Sequence, residues 1–295
     1  MANTKTLSSD FSRKINEPLY GTIKSADIWF LLEYNGVYTK DVWQDSRIPS
    51  DVKEKLDAYP NSRPLLIRQP EQVNAHDRVI SFFVVHANAD IPKIYLFELA
   101  SYNDLLALDI DAILAGDVVE AHHEPLYIIC TNGKRDICCS KYGIALYNAM
   151  IKREQHTVWQ ASHIGGHRFA GTMYCFPHAI CYGFLTPDDA IPVIESYSQK
   201  RILLNKLRGH AIYDKPIQVA EYFLRRELNN DKLDDVTYLS HESGEGQWTV
   251  RFTADDIAYD VEMLTGKPLQ VIATTGDDFL KDIPQFKFVS YKPVK

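Results

Sequence analysis

Four side chains in the middle of the chain are of the types that bind metal. Cys130 and Cys139 stand nine positions apart in CTNGKRDICCS (130–140), and His163 and His167 four apart in SHIGGHRFAG (162–171). Thiolate and imidazole together are the donors of zinc sites and of some iron–sulfur centres. Any one of these residues alone reads more simply as a buried thiol or a loop histidine. Four of them, set around glycines, read as a metal or cluster site. Common zinc fingers place about two to four residues between paired cysteines, a shorter gap than the one here. A 2Fe–2S cluster is wider than one ion and takes ligands from separated loops. The spacing therefore inclines toward iron–sulfur and leaves a closed two-Cys, two-His zinc site open.

Cys138 is the rival to Cys139 as a ligand. Either could instead serve a thiol oxidoreductase, although the C-x-x-C motif of dithiol exchange is missing. Cys175 and Cys181 fall in strand-like sequence and are expected to be buried as small apolar residues. His178, His122 and His123 are expected at the surface. Lys134, Arg135 and Arg168 flank the candidate ligands. As solvated loop charges they need no role; beside a redox centre they would stabilise its reduced form or dock an acidic partner. No Walker A, G-x-G-x-x-G or G-x-S-x-G sequence occurs. No catalytic residue is assigned, and the chain reads as a redox carrier rather than a catalyst.

The elements that must position these residues follow from periodicity. Leu126–Cys130 is a short apolar strand that delivers Cys130 to its end, and Thr131-Asn132-Gly133 is a turn signal beyond it. The turn would bring Cys139, or Cys138, back to the same centre. A helix is expected over Lys141–Arg153, burying Ile144, Tyr147 and Ile151 with Asn148 at its edge. Strands are expected at Thr157–Ser162, Met173–Phe176 and Ala179–Leu185, the last two as a hairpin. Thr186-Pro187-Asp188-Asp189 starts a helix running to about Lys200, with Pro192 either kinking it or moving its start. Gly165 and Gly166 permit backbone torsions between the histidines that a Cβ resists.

The preceding segment repeats this order. It has a strand at Asp27–Tyr34 and a helix at Ser50–Ala58 capped by Ser50. Strands follow at Arg63–Arg68, Arg78–His86 and Lys93–Leu99, then a helix from Asn103 to Gly116 carrying Leu105, Leu106, Ile110, Ile113 and Leu114. Both segments, 27–115 and 126–200, read β-α-β-β-β-α, with no repeat visible residue by residue. Residues 1–26 look polar and irregular. After a polar link, Pro216–Leu228 is an amphipathic helix, and strands are expected at Val236–Leu239, Gln247–Phe252 and Ile257–Met263, with another possible at Pro268–Ala273. The fold class is thus α/β (α+β): thioredoxin-like sheet-and-helix layers, in two copies, with a C-terminal helix plus antiparallel strands. The expected divisions are 1–120 without cluster ligands, 121–210 with them, and a 211–295 extension packed on the rest.

Composition sets the outer limits. With 45% hydrophobic and 24% charged residues, the 295-residue chain is ordinary globular material. A net charge of −7 argues against broad nucleic-acid binding. Met1–Asp10 lacks the apolar segment of a secretory signal, and no apolar run is long enough to cross a membrane. Five cysteines between 130 and 181 do not form a secreted disulfide framework. The cytoplasm is the expected compartment.

CTNGKRDICCSKYG followed by HIGGHRFAG resembles the sucrase/ferredoxin-like family. EPLYGTIKSADIWFLLEY (17–34) is similar to the family's N-terminal region and PIQVAEYFL (216–224) to its C-terminal one. The resemblance implies a thioredoxin-like ferredoxin portion binding a 2Fe–2S cluster through two cysteines and two histidines, here Cys130, Cys139, His163 and His167. It also implies electron transfer with a redox partner protein that the sequence does not identify. Nothing in the sequence supports a sucrase, since no carboxylate pair stands out. Two thiolates and two neutral imidazoles would leave an oxidised cluster at a formal charge of about 0, against about −2 for four thiolates. Its potential should then lie above that of plant-type ferredoxins, and imidazole protons would tie electron transfer to pH.

Overall fold

In a computed structural model of the chain, residues 6–69, 79–88, 90–116 and 120–294 are described. Helix α1 is Ser8–Lys14 and strand β1 Ile28–Glu33, followed by helices α2 (Val42–Asp45) and α3 (Ser50–Asp57). Strands β2 (Ser62–Arg68), β3 (Ile80–His86) and β4 (Lys93–Leu99) come next, then a 3-10 turn at Tyr102–Ala107 and helix α4 (Ile110–Ala115). The second run is β5 (Leu126–Cys130), α5 (Ile137–Met150), β6 (Val158–Ala161), β7 (Met173–Phe176), β8 (Ile180–Tyr182) and α6 (Ala190–Ser198). Strand β9 (Leu207–His210) and helix α7 (Lys215–Leu228) lead to β10 (Thr237–Gly244), β11 (Gln247–Ala254), β12 (Ile257–Val271) and β13 (Lys281–Pro293).

Strands β1 to β9 form one mixed sheet in the order β4-β3-β1-β2-β6-β5-β7-β8-β9. Each run has the same internal order and directions. β1 is parallel to β2 and antiparallel to β3, just as β5 is parallel to β6 and antiparallel to β7. The two runs meet where β2 pairs antiparallel with β6, at Ile67–Ala161 and Arg68–Gln160. The duplicated α+β layering expected from element order is therefore present. The four-stranded antiparallel sheet β10–β13 buries Val250, Phe252, Val261 and Met263 against Val219, Phe223 and Leu224 of α7.

Helices cover one face of the large sheet. Val52 and Leu56 of α3 and Ile110 and Ile113 of α4 pack over Phe30, Leu32, Leu66 and Phe82. Leu146, Tyr147 and Met150 of α5, with Val193 and Ile194 of α6, pack over Tyr127, Ile129 and Met173. On the other face the sheet curls inward. Adjacent strands lie about 4.8 Å apart, so a flat sheet would separate β1 from β7 by about 19 Å. Yet the rings of Trp29 on β1 and Tyr174 on β7 are 4.6 Å apart, and those of Phe83 on β3 and Trp159 on β6 are 5.6 Å apart. The two runs fold toward each other around this shared core, which includes Cys130 and Cys139.

Several sequence expectations need correction. Helix α5 starts at Ile137, not Lys141, because the Asp136 carboxylate caps it by accepting from the Cys138 N–H at 2.9 Å. Its buried face is Cys138, Cys139, Gly143, Leu146, Tyr147 and Met150, while Ile144 is exposed. The helix expected from Asn103 is two pieces. Ser101 and Asp104 form a capping box on the 3-10 turn, Leu108 is extended, and Asp109 caps α4 afresh, with Gly116 ending it as expected. Pro49, not Ser50, occupies the cap position of α3. Thr186 and Asp189 cap a 3-10 turn, and the α-helix proper starts at Ala190, so Pro192 falls in its first turn. Helix α1, strand β9 and strand β13 arise in stretches read as irregular, as a link, or not as strand, and the segment from Pro268 continues β12. Arg78, the expected start of the third strand, lies outside the described residues.

Candidate metal centre

Cys130 is the last residue of β5, and its thiol enters the shared core at the open end of two parallel strands. Beyond it, the Asn132 side chain receives the N–H groups of Lys134 and Arg135 at 3.1 and 3.3 Å and donates to Thr39 O at 2.8 Å. That turn feeds the chain into α5 at the Asp136 cap, so Cys138 and Cys139 occupy the helix's first turn. One turn on, Gly143 faces the end of β5, where a Cβ would collide with the Cys130 carbonyl oxygen. Only glycine lets α5 lie this close, which is how Cys139 reaches Cys130.

The histidines come from the loop after β6. Gly165 and Gly166 have φ of +90° and +71°, in the left-handed region that glycine alone enters cheaply. Two arginines brace this loop from behind. Arg63 Nη2 donates to Ile164 O at 2.6 Å, and the fully buried Arg208 donates from Nη1 to Gly165 O at 3.1 Å. Neither arginine carries a local sequence signal that marks this role. From the front, Ser9 and Arg13 of α1 both donate to Ala170 O, at 3.1 and 2.7 Å.

The loop sets His163 Nδ1 3.6 Å from Cys130 Sγ and 3.8 Å from Cys139 Sγ. The ligand atoms of Cys130, Cys139 and His163 lie within 4.8 Å of one another, a group able to hold a metal ion. His167 stands beside it, its ring centroid 5.5 Å from that of His163. Its Nε2 is 2.7 Å from Ala273 O and 3.6 Å from Asp136 Oδ2, while its Nδ1 is buried with no hydrogen-bond partner among the described residues. Cys138 points elsewhere, with Sγ 3.4 Å from Thr275 Oγ1 and 3.7 Å from Ser8 Oγ.

The electrostatics follow from these neighbours. A hydrogen bond from the Cys139 thiol holds Cys130 well below the ordinary thiol value, against the effect of burial and helped by His163. The same bond, with burial, pushes Cys139 up. Burial pushes Cys138 up, and burial also lowers His167, which favours the neutral imidazole that a metal needs. Burial opposes ionisation of Asp136, but the N–H groups of Thr275 and Cys138, with the charge of His167 when that ring is protonated, outweigh it and leave the carboxylate below its usual range.

Other expectations meet mixed outcomes. Cys175 and Cys181 are buried in strands, as read. Lys134 and Arg135 are exposed, but Arg168 is not a solvated charge, since its Nε donates to buried Glu17 at 2.7 Å. His178 is half-buried rather than a free surface residue. Its Nδ1 lies 2.6 Å from the Tyr197 hydroxyl, and burial lowers it to about 4. His122 is half-buried, edge-on to Phe83, whereas His123 is exposed.

The profile of the sucrase/ferredoxin-like family matches residues 19–209. The chain belongs to this family. The matched stretch contains the nine-stranded sheet nearly whole, with all four candidate ligands, and stops before α7 and the second sheet. Among curated proteins the chain is 26% identical over 98 residues to "Altered inheritance of mitochondria protein 32" of Meyerozyma guilliermondii. That stretch covers 30% of this chain and 35% of the relative, so the chain spans about a third of the relative's length. No solved structure matches. Among the described residues, no helix is long and apolar enough to cross a membrane.

Proposed function

We propose that this member of the sucrase/ferredoxin-like family is an electron-transfer protein holding a 2Fe–2S cluster on Cys130, Cys139, His163 and His167. The observation that carries the reading is the approach of two thiols and one imidazole to within 4.8 Å of one another, with a second imidazole beside them whose buried Nδ1 has no partner among the described residues. A buried lone pair without a donor costs free energy that a metal would recover. When bound, such a cluster supplies a centre that takes up and releases one electron. The chain's own residues do the rest. The hydrogen bond from Cys139 lowers Cys130 toward its thiolate, burial lowers His167 toward the neutral imidazole, and the surrounding core excludes water from both thiols. Lys134 and Arg135 are exposed on the turn entering α5, and would offer a positive rim to an acidic redox partner protein.

The cluster-bearing segment would be 121–210, with 1–120 and 211–295 as ligand-free companions. Five free, buried cysteines suit a reducing compartment, and we propose the cytoplasm. The same two-Cys, two-His donor set would also close a tetrahedral zinc site, which is the alternative reading. Thiol oxidoreduction at Cys138 is disfavoured, because its sulfur is buried against two hydroxyls and burial pushes its pKa up.

Anaerobic purification followed by metal, sulfide and absorption analysis tests this. Iron and acid-labile sulfide at about two each per chain, with visible bands bleached by dithionite, are expected. One zinc per chain and no colour would replace electron transfer with a structural site.

A further inference from the structure

The histidine loop is closed over by a part of the chain that lies beyond the family-matched stretch. Strands β12 and β13 form a long hairpin whose paired residues end at Val271 and Lys281. Its tip, residues 272–280, reaches back to the first turn of α5. There Thr275 N donates to Asp136 Oδ2 at 2.9 Å and Thr275 Oγ1 to Asp136 Oδ1 at 3.0 Å. Thr275 Oγ1 also receives the Ser8 N–H at 3.1 Å and stands 3.4 Å from Cys138 Sγ. One threonine thus ties together the N-terminal helix, the cap of α5 and the hairpin. Two residues earlier, Ala273 O is 2.7 Å from His167 Nε2.

A carbonyl oxygen only accepts, so the hydrogen at this contact sits on Nε2. Asp136 Oδ2, 3.6 Å from the same nitrogen, is likewise an acceptor. A hydrogen on Nδ1 would find no acceptor among the described residues, where that atom is buried without a partner. A metal-bound histidine needs its second nitrogen held in this way, by a carbonyl or carboxylate that fixes both tautomer and ring orientation.

Resting on the metal-site reading above, we infer that the hairpin tip is part of that site. The Ala273 carbonyl, held in register by Thr275, fixes His167 in its Nε2–H form and leaves Nδ1 as the nitrogen that would be free to meet a metal. Ala273 and Thr275 are positioning residues: they act through His167 and Asp136. Cys138, adjacent to a ligand, then has a structural part as one wall of the Thr275 anchor.

The test uses full-length protein, labelled with nitrogen-15 at histidine, in metal-free and metal-loaded forms. Metal-free wild type should show His167 as the Nε2–H tautomer, with that proton protected from exchange with water. Thr275→Val, and a variant with residues 272–280 replaced by an Asn-Gly hairpin turn, should lose the protection. After loading, both should release metal about 10- to 100-fold faster than wild type. Thr275→Ser, which keeps the hydroxyl, should restore both properties. Far-ultraviolet circular dichroism checks that each variant is folded. A wild-type His167 protonated at Nδ1 would overturn the inference. So would folded variants with unchanged proton protection and unchanged metal release. Since proton protection is read without metal, a failure of the iron–sulfur reading appears separately, as absent iron and sulfide in loaded wild type.

Discussion

The two runs of the large sheet share a frame and differ in what they place at its open end. β1 ends at Glu33 and continues Tyr34-Asn35-Gly36, while β5 ends at Cys130 and continues Thr131-Asn132-Gly133. Each strand is then followed by a helix capped by an aspartate, Asp41 for α2 and Asp136 for α5. In the first run the strand-end side chain is absorbed by the fold. Buried Glu33 receives the N–H of Ser81 at 3.0 Å and the Asn35 amide at 3.1 Å. In the second, the strand-end thiol faces another thiol and an imidazole. A strand end beside a helix cap is therefore only a place for a site. What fills it is decided by the terminal side chain and by how near the following helix can come.

Exchanging the terminal side chains gives the largest expected effect. Cys130→Ser should abolish bound metal, because a serine hydroxyl stays protonated where a thiolate is needed. Glu33→Gln, at the matching position of the other run, should leave metal content at the wild-type level. Iron and zinc analysis of both purified variants checks this, and metal retained by Cys130→Ser would break the comparison.

Helix approach comes next. Gly143→Ala places a methyl group against the Cys130 carbonyl and must push α5 away. Overpacking of this kind costs about 1–3 kcal/mol, to be read as a lower urea midpoint with unchanged slope. Metal content should fall as well, because Cys139 rides on the same helix. Full metal retention would show that the close approach serves packing alone.

A third difference is titratable. The β7–β8 turn of the second run carries His178, 21% exposed at its side chain, lowered to about 4 mainly by burial and also by His210 and Lys200, with Asp234 acting the other way. Its folded value is depressed, so the unfolded chain binds the proton more readily between about pH 4 and the unperturbed value near 6.5. The associated stability is present above that window and is lost as pH falls through it, by on the order of 2–3 kcal/mol. Denaturant titrations at pH 7 and pH 4.5 should show the loss in wild type and a smaller one in His178→Gln. Equal losses would remove His178 as the cause.

The legible parts of this molecule are those set by local pattern. Apolar runs gave Leu126–Cys130 and Lys93–Leu99 to the residue, and element order gave the duplicated layering. Paired donors pointed to Cys130, Cys139, His163 and His167, of which the fold brings three within reach of one another and sets the fourth alongside. Asp136, three residues before Cys139, is a legible helix cap, whereas apolar periodicity alone starts the helix at Lys141, four residues late. Other features had no local sign. Arg208 and Arg63 brace the histidine loop from strands distant in sequence, and Thr275 meets Asp136 across 139 positions. Contacts of that separation come from the curl of the sheet and from a hairpin folding back, neither of which a window of sequence contains.

The smallest expected effect separates neighbouring thiols. Cys138 and Cys139 share the first turn of α5 and are both buried, yet only Cys139 faces the second thiol. Cys138 sits between Ser8 and Thr275, where a serine could make the same hydrogen bonds at slightly shorter range. Cys138→Ser should therefore change stability by less than about 1 kcal/mol and leave metal content and visible spectrum as in wild type. Cys139→Ser should lose the metal as Cys130→Ser does. The reverse pattern, with metal lost on replacing Cys138 and kept on replacing Cys139, would mean that α5 turns through roughly 100° when the metal binds, the angle between adjacent residues on a helix. That rotation would break the Asp136 cap and the Thr275 anchor together. The paired substitution thus also asks whether the first turn of α5 is already set for metal before any arrives.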